Sequence, residues 1–243
     1  MSILIIGESC LDVFKYCSAD RLCPDIPVPV LQIEKEITNP GMAQNVYNNI
    51  QKLTDDCDIF TNNNWKSIKK TRYIDGKSNH MFIRVDDDHS CIKRADIKSI
   101  DLESYDFIAV SDYNKGYLEV DDIEYICSCH PLVFLDTKKK VGEWAKEAAF
   151  IKINEYELQR SEDTLTTAVR DKIICTKGAK GCEYHNQKYP VTKLNVKDSC
   201  GAGDTFFAAL VFKYRQSKDI SLSIEYANLC ASRVVGQKGV VTL

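Results

Sequence analysis

Short apolar runs of four or five residues recur along the chain, at Ile3 to Ile6, Phe107 to Val110, Leu132 to Leu135, Phe150 to Ile153 and Lys172 to Thr176. Runs this short, bounded by polar or turn-forming residues, predict strands buried on both faces. Between them the apolar positions switch to helical spacing, first as Ala43, Val46, Tyr47, Ile50 and Leu53 after Pro40-Gly41, then as Val120, Ile123, Ile126 and Cys127. Strands alternating with amphipathic helices predict an α/β fold whose central sheet is mainly parallel and flanked by helices.

Two stretches depart from that rhythm. Residues 13–37 place Pro24, Pro27 and Pro29 in an otherwise extended, β-branched sequence ending VPVLQIEKEI, which suits an edge strand or flap. Residues 69–87 read as two alternating strands, KKTRYID and NHMFIRVD, joined by a turn at Asp75-Gly76. Together they predict a small β-sheet lid on a single domain spanning 1–243, with lid segments at about 13–37 and 69–87. Asn62 to Asn64 reads as a tight surface loop, and no internal repeat is present.

Composition narrows the function classes. With 243 residues, 44% apolar and 28% charged, the chain can bury a substantial core, which excludes disorder as its main state. Its 32 Lys and Arg against 35 Asp and Glu leave a net charge of −3, which gives no electrostatic footprint for nucleic acid. No run approaches 18 apolar residues, and MSILIIGES lacks the basic segment of a signal peptide, so a cytoplasmic protein without membrane contact is expected. The 11 cysteines are odd in number, dispersed and never spaced CxxC, as expected of reduced, mostly buried thiols. Cys127, Cys129 and His130 form the one local cluster, but a zinc site there lacks a fourth ligand and would need Cys127 from the apolar face of a helix.

The chemistry concentrates in VKDSCGAGDTFFAALVFKY, residues 196–214, where Gly201 and Gly203 precede Phe206, Phe207, Leu210, Val211 and Tyr214 at helical spacing. A glycine-rich helix start lets the backbone N–H groups of Gly201, Ala202 and Gly203 converge on an anion such as a phosphate. Asp204 then lies in the first helical turn, where a carboxylate can accept a proton from an attacking hydroxyl while those N–H groups hold the transferring phosphoryl. An aspartate there is also an ordinary capping residue, and Gly-Ala-Gly is also a common turn. The spacing fits neither GxxxxGK[ST] nor GxGxxG.

DSCGAGDTF resembles the D-T-x-G-A-G-D signature of the PfkB, or ribokinase-like, carbohydrate kinases. Other segments fall in that family's order. INEYE at 153–157 resembles its N-x-x-E motif, which implies that Asn154 and Glu157 organise Mg²⁺, through water, and the nucleotide phosphates. TKGAKG at 176–181 resembles the segment before the catalytic helix, implying ATP-site roles for Thr176, Gly178 and Gly181. Gly7 to Asp12 and PGMAQNV at 40–46 resemble the sugar-site segments, implying that Asp12, Gly41 and Asn45 orient the acceptor.

Further segments resemble the family's kinase domain for D-glycero-D-manno-heptose 7-phosphate: LCPDIPVPVLQIE at 22–34, KKTRYIDGKSNHMFIRVD at 69–86, VSDYNKG at 110–116 and FLDTKKK at 134–140. The resemblance implies acceptor-site roles for Arg72, Arg84, Asp112 and Lys115, with Lys70 a further basic candidate, and a nucleotide-site role for Lys138. The bland alternative for the lid charges is solvation. Ala227, Asn228, Ala231 and the turn at 236–239 would wall the adenine pocket. Departures are Met42 for the second sugar-site glycine, which implies a looser backbone approach to the sugar or a different acceptor, Glu8 for Asp, Ser199-Cys200 for T-x, and a shortened segment between the first crossover helix and residue 69, which implies an abbreviated sheet edge. The expectation is an ATP- and Mg²⁺-dependent sugar-phosphate kinase, dimeric through its lid. A kinase for another sugar, or a non-catalytic nucleotide or sugar-phosphate binding protein of the same fold, is the competing reading.

Overall fold

The computed structural model describes residues 2–191, 200–236 and 242–243. The chain opens with β1 (Ile3–Ile6) and passes at once into a long antiparallel pair, β2 (Ser9–Leu22) and β3 (Pro29–Met42), followed by α1 (Ala43–Gln51) and β4 (Cys57–Phe60). A hairpin of β5 (Lys69–Asp75) and β6 (Met81–Asp86) comes next. The alternation then runs β7 (Phe107–Asp112), α2 (Val120–Cys129), β8 (Val133–Thr137), β9 (Phe150–Asn154), α3 (Glu155–Ser161), α4 (Thr167–Arg170) and β10 (Ile173–Thr176). Two short strands, β11 (Cys182–Tyr184) and β12 (Gln187–Tyr189), precede the paired helices α5 (Ala202–Ser217) and α6 (Ile220–Val235).

The larger sheet has the order β12-β11-β10-β9-β8-β7-β1-β4, parallel from β10 to β4 and antiparallel at β11 and β12. Side-chain parity explains why its strands read as unbroken apolar runs. Ile3 and Ile5 of β1 pack with α1, α5 and α6, whereas Leu4 and Ile6 face the core that holds Ile123 and Ile126 of α2. All five apolar runs are strands, displaced by at most two residues at their ends.

The smaller sheet, β3-β2-β5-β6, is more extensive than a flap over 13–37. Its long pair runs over residues 9–42: Pro24 and Pro27 fall in the connection, and Pro29 opens the edge strand β3, where its missing N–H is tolerated. β4 and the first residues of β2, before the extended stretch read at 13–37, escaped the sequence reading because neither carries an uninterrupted apolar run. β2 pairs on both sides, antiparallel with β3 and parallel with β5, and mixes charge with buried apolar residues on both faces: Asp12 shares a face with Phe14, and Lys15 with Val13 and Cys17. The large sheet ends at β4, and only the single turn Trp65–Ser67 separates that strand from β5.

Candidate active site

The start of α5 lies where the two sheets meet. Gly201, at φ 77°, supplies a left-handed turn that glycine adopts freely, and as the N-cap residue it has no side chain to cap the helix start. Asp204 is buried in the first turn; its Oδ1 accepts from the Tyr113 hydroxyl at 2.5 Å and its Oδ2 from the Asn45 amide at 2.8 Å. Burial pushes its carboxyl above the ordinary carboxylate range, against the downward pull of both hydrogen bonds. A positive helix end beside a buried, hydrogen-bonded carboxylate can hold a phosphoryl group and take a proton in one place.

The carboxyl ends of β8 and β9 bring charged residues against this helix start, as open α/β sheets do. Lys152 Nζ bonds Asp136 Oδ2 at 2.7 Å with both side chains buried, and it lies so near that a Cβ on Gly203 would meet it at 3.2 Å. Lys138 bonds Glu157 at 2.7 Å and reaches Asp136 at 3.5 Å. Burial works to raise Asp136, but Lys138 and Lys152 override it and hold the carboxyl below its ordinary range. Asn154 and Glu157 form a reciprocal cap on α3: Asn154 Oδ1 accepts from the Glu157 N–H at 2.9 Å, and Glu157 Oε2 accepts from the Asn154 N–H at 2.9 Å. With its oxygens on that cap and on Lys138, Glu157 suits a cation held through water and nucleotide phosphate rather than an all-protein cage.

On the small sheet, Asp12, Lys70, Arg72, Arg84 and Asp86 share one face by register. Arg72 bonds Asp12 at 2.5 Å and lies over Phe14, while Arg84 is bidentate to Asp86 at 2.6–2.7 Å. Arg72 and Arg84 are direct cross-strand partners, a like-charge pair that anions must offset. Lys70 is buried, its ammonium 5.0 Å from the centre of the Tyr113 ring and without a hydrogen bond or ion pair to a described residue. A Cβ on Gly41 would lie 2.3 Å from Asp12 Oδ2, so glycine keeps that carboxylate in place. Met42 holds φ 61° and ψ −134°, a backbone conformation natural to glycine, with its side chain buried. The backbone at this position is therefore glycine-like although the residue is Met42.

The DYNKG turn hangs from β7. Asp112 is buried and accepts from Thr137 at 2.5 Å, Asn114 N–H at 3.0 Å and Lys139 at 3.3 Å, so it anchors the turn rather than presenting an open carboxylate to an acceptor. The Lys115 N–H donates to buried Glu8 at 2.7 Å, and its side chain stays half-buried with no described partner. Among the residues expected at the nucleotide site, Thr176 donates to the Ile153 carbonyl at 3.3 Å. Gly178 turns at φ 54° and Gly181 at φ 87°, where a Cβ would lie 2.0 Å from the Tyr189 carbonyl. Asn228 bonds the Tyr189 carbonyl at 2.9 Å and lines a cleft of about 630 Å³ with Pro190, Leu229 and Arg233. Asp198, Ser199 and Gly239 lie outside the described residues.

Tyr113, Asp136 and Lys152 were not singled out from sequence. A lysine inside the apolar run Phe150–Ile153 was the available signal, since a charge in a buried strand requires a partner. Among the described residues no His, Cys, Asp or Glu cluster could hold a metal ion, and His130 instead contacts the Tyr105 carbonyl at 3.0 Å. No described helix is long and apolar enough to cross a membrane.

Comparison with known proteins agrees with this geometry. The model of the pfkB family carbohydrate kinases matches residues 126–243. A bifunctional protein HldE of Helicobacter pylori strain J99 is 28% identical, covering 98% of this chain and 63% of its own length. One from a Nitratiruptor species is 26% identical, covering 99% and 62%. This chain thus spans less than two thirds of those relatives, and the Helicobacter alignment runs over 292 positions against 243 residues here, so that relative carries insertions. Among solved structures, Thermotoga maritima ribokinase superposes with a TM-score of 0.73 at 14% identity, covering 99% of this chain and 94% of that one. Arabidopsis thaliana ribokinase complexed with ribose and ATP gives 0.71 at 15%, covering 98% and 94%. The signature at 198–204 and the match over 126–243 make this chain similar to the pfkB family carbohydrate kinases, and its fold is ribokinase-like.

Proposed function

We propose that the chain transfers the γ-phosphoryl of ATP to the anomeric hydroxyl of D-glycero-D-manno-heptose 7-phosphate, giving the 1,7-bisphosphate. The observation that carries this reading is the cationic face of the small sheet. Lys70, Arg72 and Arg84 converge there with Asp12 and Asp86 as their only described anions on that face, and Lys70 has neither as an ion-pair partner. An acceptor bearing a phosphate supplies the missing anion, and charge-assisted contacts make its recognition strong. Lys115 adds a further ammonium from the DYNKG turn.

Asp204 serves as general base, with the N–H groups of residues 201–203 stabilising charge on the transferring phosphoryl. Asp12, Gly41 and Asn45 orient the sugar. Lys138, Thr176, Gly178, Gly181 and Asn228 form the nucleotide side, with α6 as one wall of the adenine pocket. Mg²⁺ bound with ATP supplies charge neutralisation, held through water near Asn154 and Glu157. A non-catalytic binding protein would have no use for a buried proton acceptor beside an anion site. The outer face of the small sheet exposes Ile83 and Val85, and its edge strands also expose Ile33 and Met81, all of which a second copy would cover. A dimer is therefore expected in sedimentation at micromolar concentration, and a monomer there contradicts pairing through this face.

The test is ADP release with ATP and Mg²⁺ over a panel of both anomers of heptose 7-phosphate, hexose phosphates and free hexoses. Heptose 7-phosphate should give the highest kcat/KM. Equal values for a free hexose would remove the heptose-phosphate assignment and leave the carbohydrate kinase.

A further inference from the structure

We infer that Tyr113 is the positioning residue for the base: its hydroxyl and the Asn45 amide grip the two oxygens of Asp204, while its ring lies beneath the ammonium groups of Lys70 and Lys138. The inference rests on the reading of Asp204 as general base and adds a residue to it.

Tyr113 is the first residue beyond β7, and its backbone is fixed by the turn it opens. Asp112 accepts from the Asn114 N–H, Asn114 adopts the left-handed conformation at φ 57°, and Glu8 accepts from the Lys115 N–H. The phenol therefore approaches Asp204 from a rigid turn. Its 2.5 Å bond to Oδ1 and the 2.8 Å bond of Asn45 to Oδ2 fix the rotation of the carboxylate plane. Each carboxylate oxygen keeps a second lone pair, so an acceptor hydroxyl can join without displacing either donor.

The ring is held as well. Lys70 Nζ lies 5.0 Å and Lys138 Nζ 5.5 Å from its centre, one cation from the small sheet and one from the end of β8. Tyr113 thus touches the acceptor side, the nucleotide side and the base at once.

The phenol can act only as a donor here. Burial, reinforced by the charge of Asp204, holds its proton far above the ordinary tyrosine range. The charged and titratable groups facing Asp204 are Tyr113, Cys10 from β2, Asp136 and Lys138 from β8, and Lys152 from β9. Those facing Tyr113 are Asp204, Asp136, Asp12, Lys70 and Lys138. Of these groups, only Tyr113 hydrogen-bonds Asp204, so removing its hydroxyl should make the carboxylate harder to ionise.

Tyr113→Phe keeps the ring and its cation contacts and deletes only the donor. The measurement is the titration of the Asp204 carboxyl by ¹³C NMR on aspartate-labelled full-length protein, assigned by the resonance that Asp204→Asn removes. The midpoint should rise by about one pH unit, and the acid limb of kcat with heptose 7-phosphate should move up with it, at unchanged ATP affinity. An unchanged midpoint overturns the inference without reference to any sugar. A fully active Asp204→Asn enzyme instead overturns the base assignment, and the two failures are read from different proteins. A merely structural tyrosine would lower stability and leave both the midpoint and the acid limb in place.

Discussion

The carboxyl edge of the large sheet and the inner face of the small sheet meet at Asp204, but they treat charge differently. At the edge, each cation has an anion close by: Lys152 with Asp136, and Lys138 with Glu157 and Asp136. On the small sheet, Arg72 and Arg84 face one another across a strand pair and Lys70 lies buried with no ion pair among the described residues. A satisfied buried network holds a shape before any ligand arrives. A face left with surplus charge is completed by its ligand, and strands exposed on the opposite side can shift with less disturbance to the core. In the proposed function the chemistry thus sits on the rigid element and the choice of acceptor on the thinner one.

The sharpest way to break the comparison is at its junction. Asp204→Asn should lower kcat by about 10² to 10⁴ fold, the usual worth of a general base. ATP binding, followed by calorimetry, should persist. The carboxyl is already held above its ordinary range by burial, so its charge costs the native state stability at neutral pH, and the amide should melt near wild type. Lost ATP binding together with a much lower melting point would instead mark Asp204 as a helix cap.

Next in size is a contrast between two buried lysines. Lys152→Met leaves Asp136 without its shorter ion pair, and removing one partner of a buried pair costs about 3–5 kcal/mol. Urea unfolding should show a loss of that order. Lys70→Met removes no ion pair, so stability should stay near wild type, while kcat/KM for the sugar phosphate should fall by about 1.5–3 kcal/mol at unchanged ATP affinity. Equal destabilisation by the two substitutions would erase the distinction between the faces.

How much of this was legible depended on whether a residue's surroundings were local in sequence. The five buried strands could be read because both of their faces are apolar, and the glycine-rich helix start because Gly201, Ala202, Gly203 and Asp204 are contiguous. β2 gave no clear pattern because charged and apolar residues mix on both of its faces. Tyr113 was quoted within VSDYNKG without a role, because its partner Asp204 is 91 positions away. Asp112, read as a substrate ligand from the same motif, anchors the turn through Thr137 and Lys139, contacts no spacing reveals. Met42 shows the reverse case: a changed residue suggested a changed backbone, yet the glycine-like conformation persists beneath a buried side chain.

The smallest effect concerns Glu8, which stands where the resembling family segment has aspartate. Its carboxylate is fully buried; Oε1 accepts from the Lys115 N–H, whereas Oε2 has no hydrogen-bond partner among the described residues. Burial first, and the neighbouring charge of Asp112 second, push its carboxyl up to about 7 from an ordinary 4.5. A raised carboxyl means that the native state keeps a proton that the unfolded chain releases, so stability declines as pH rises between those values. The decline is bounded at roughly 3 kcal/mol by the usual conversion of pKa to free energy. Glu8→Gln cannot titrate and should lose that component of the slope. In urea unfolding at pH 5 and pH 8 the wild type should weaken relative to the variant by about 1–3 kcal/mol. Parallel pH profiles would show that Glu8 is charged throughout and that its buried oxygen has found a partner. Because Glu8 holds the Lys115 N–H, a retained effect on stability with no effect on acceptor KM would also show that the DYNKG turn keeps its shape without the charge, placing Glu8 with the rigid half of the site.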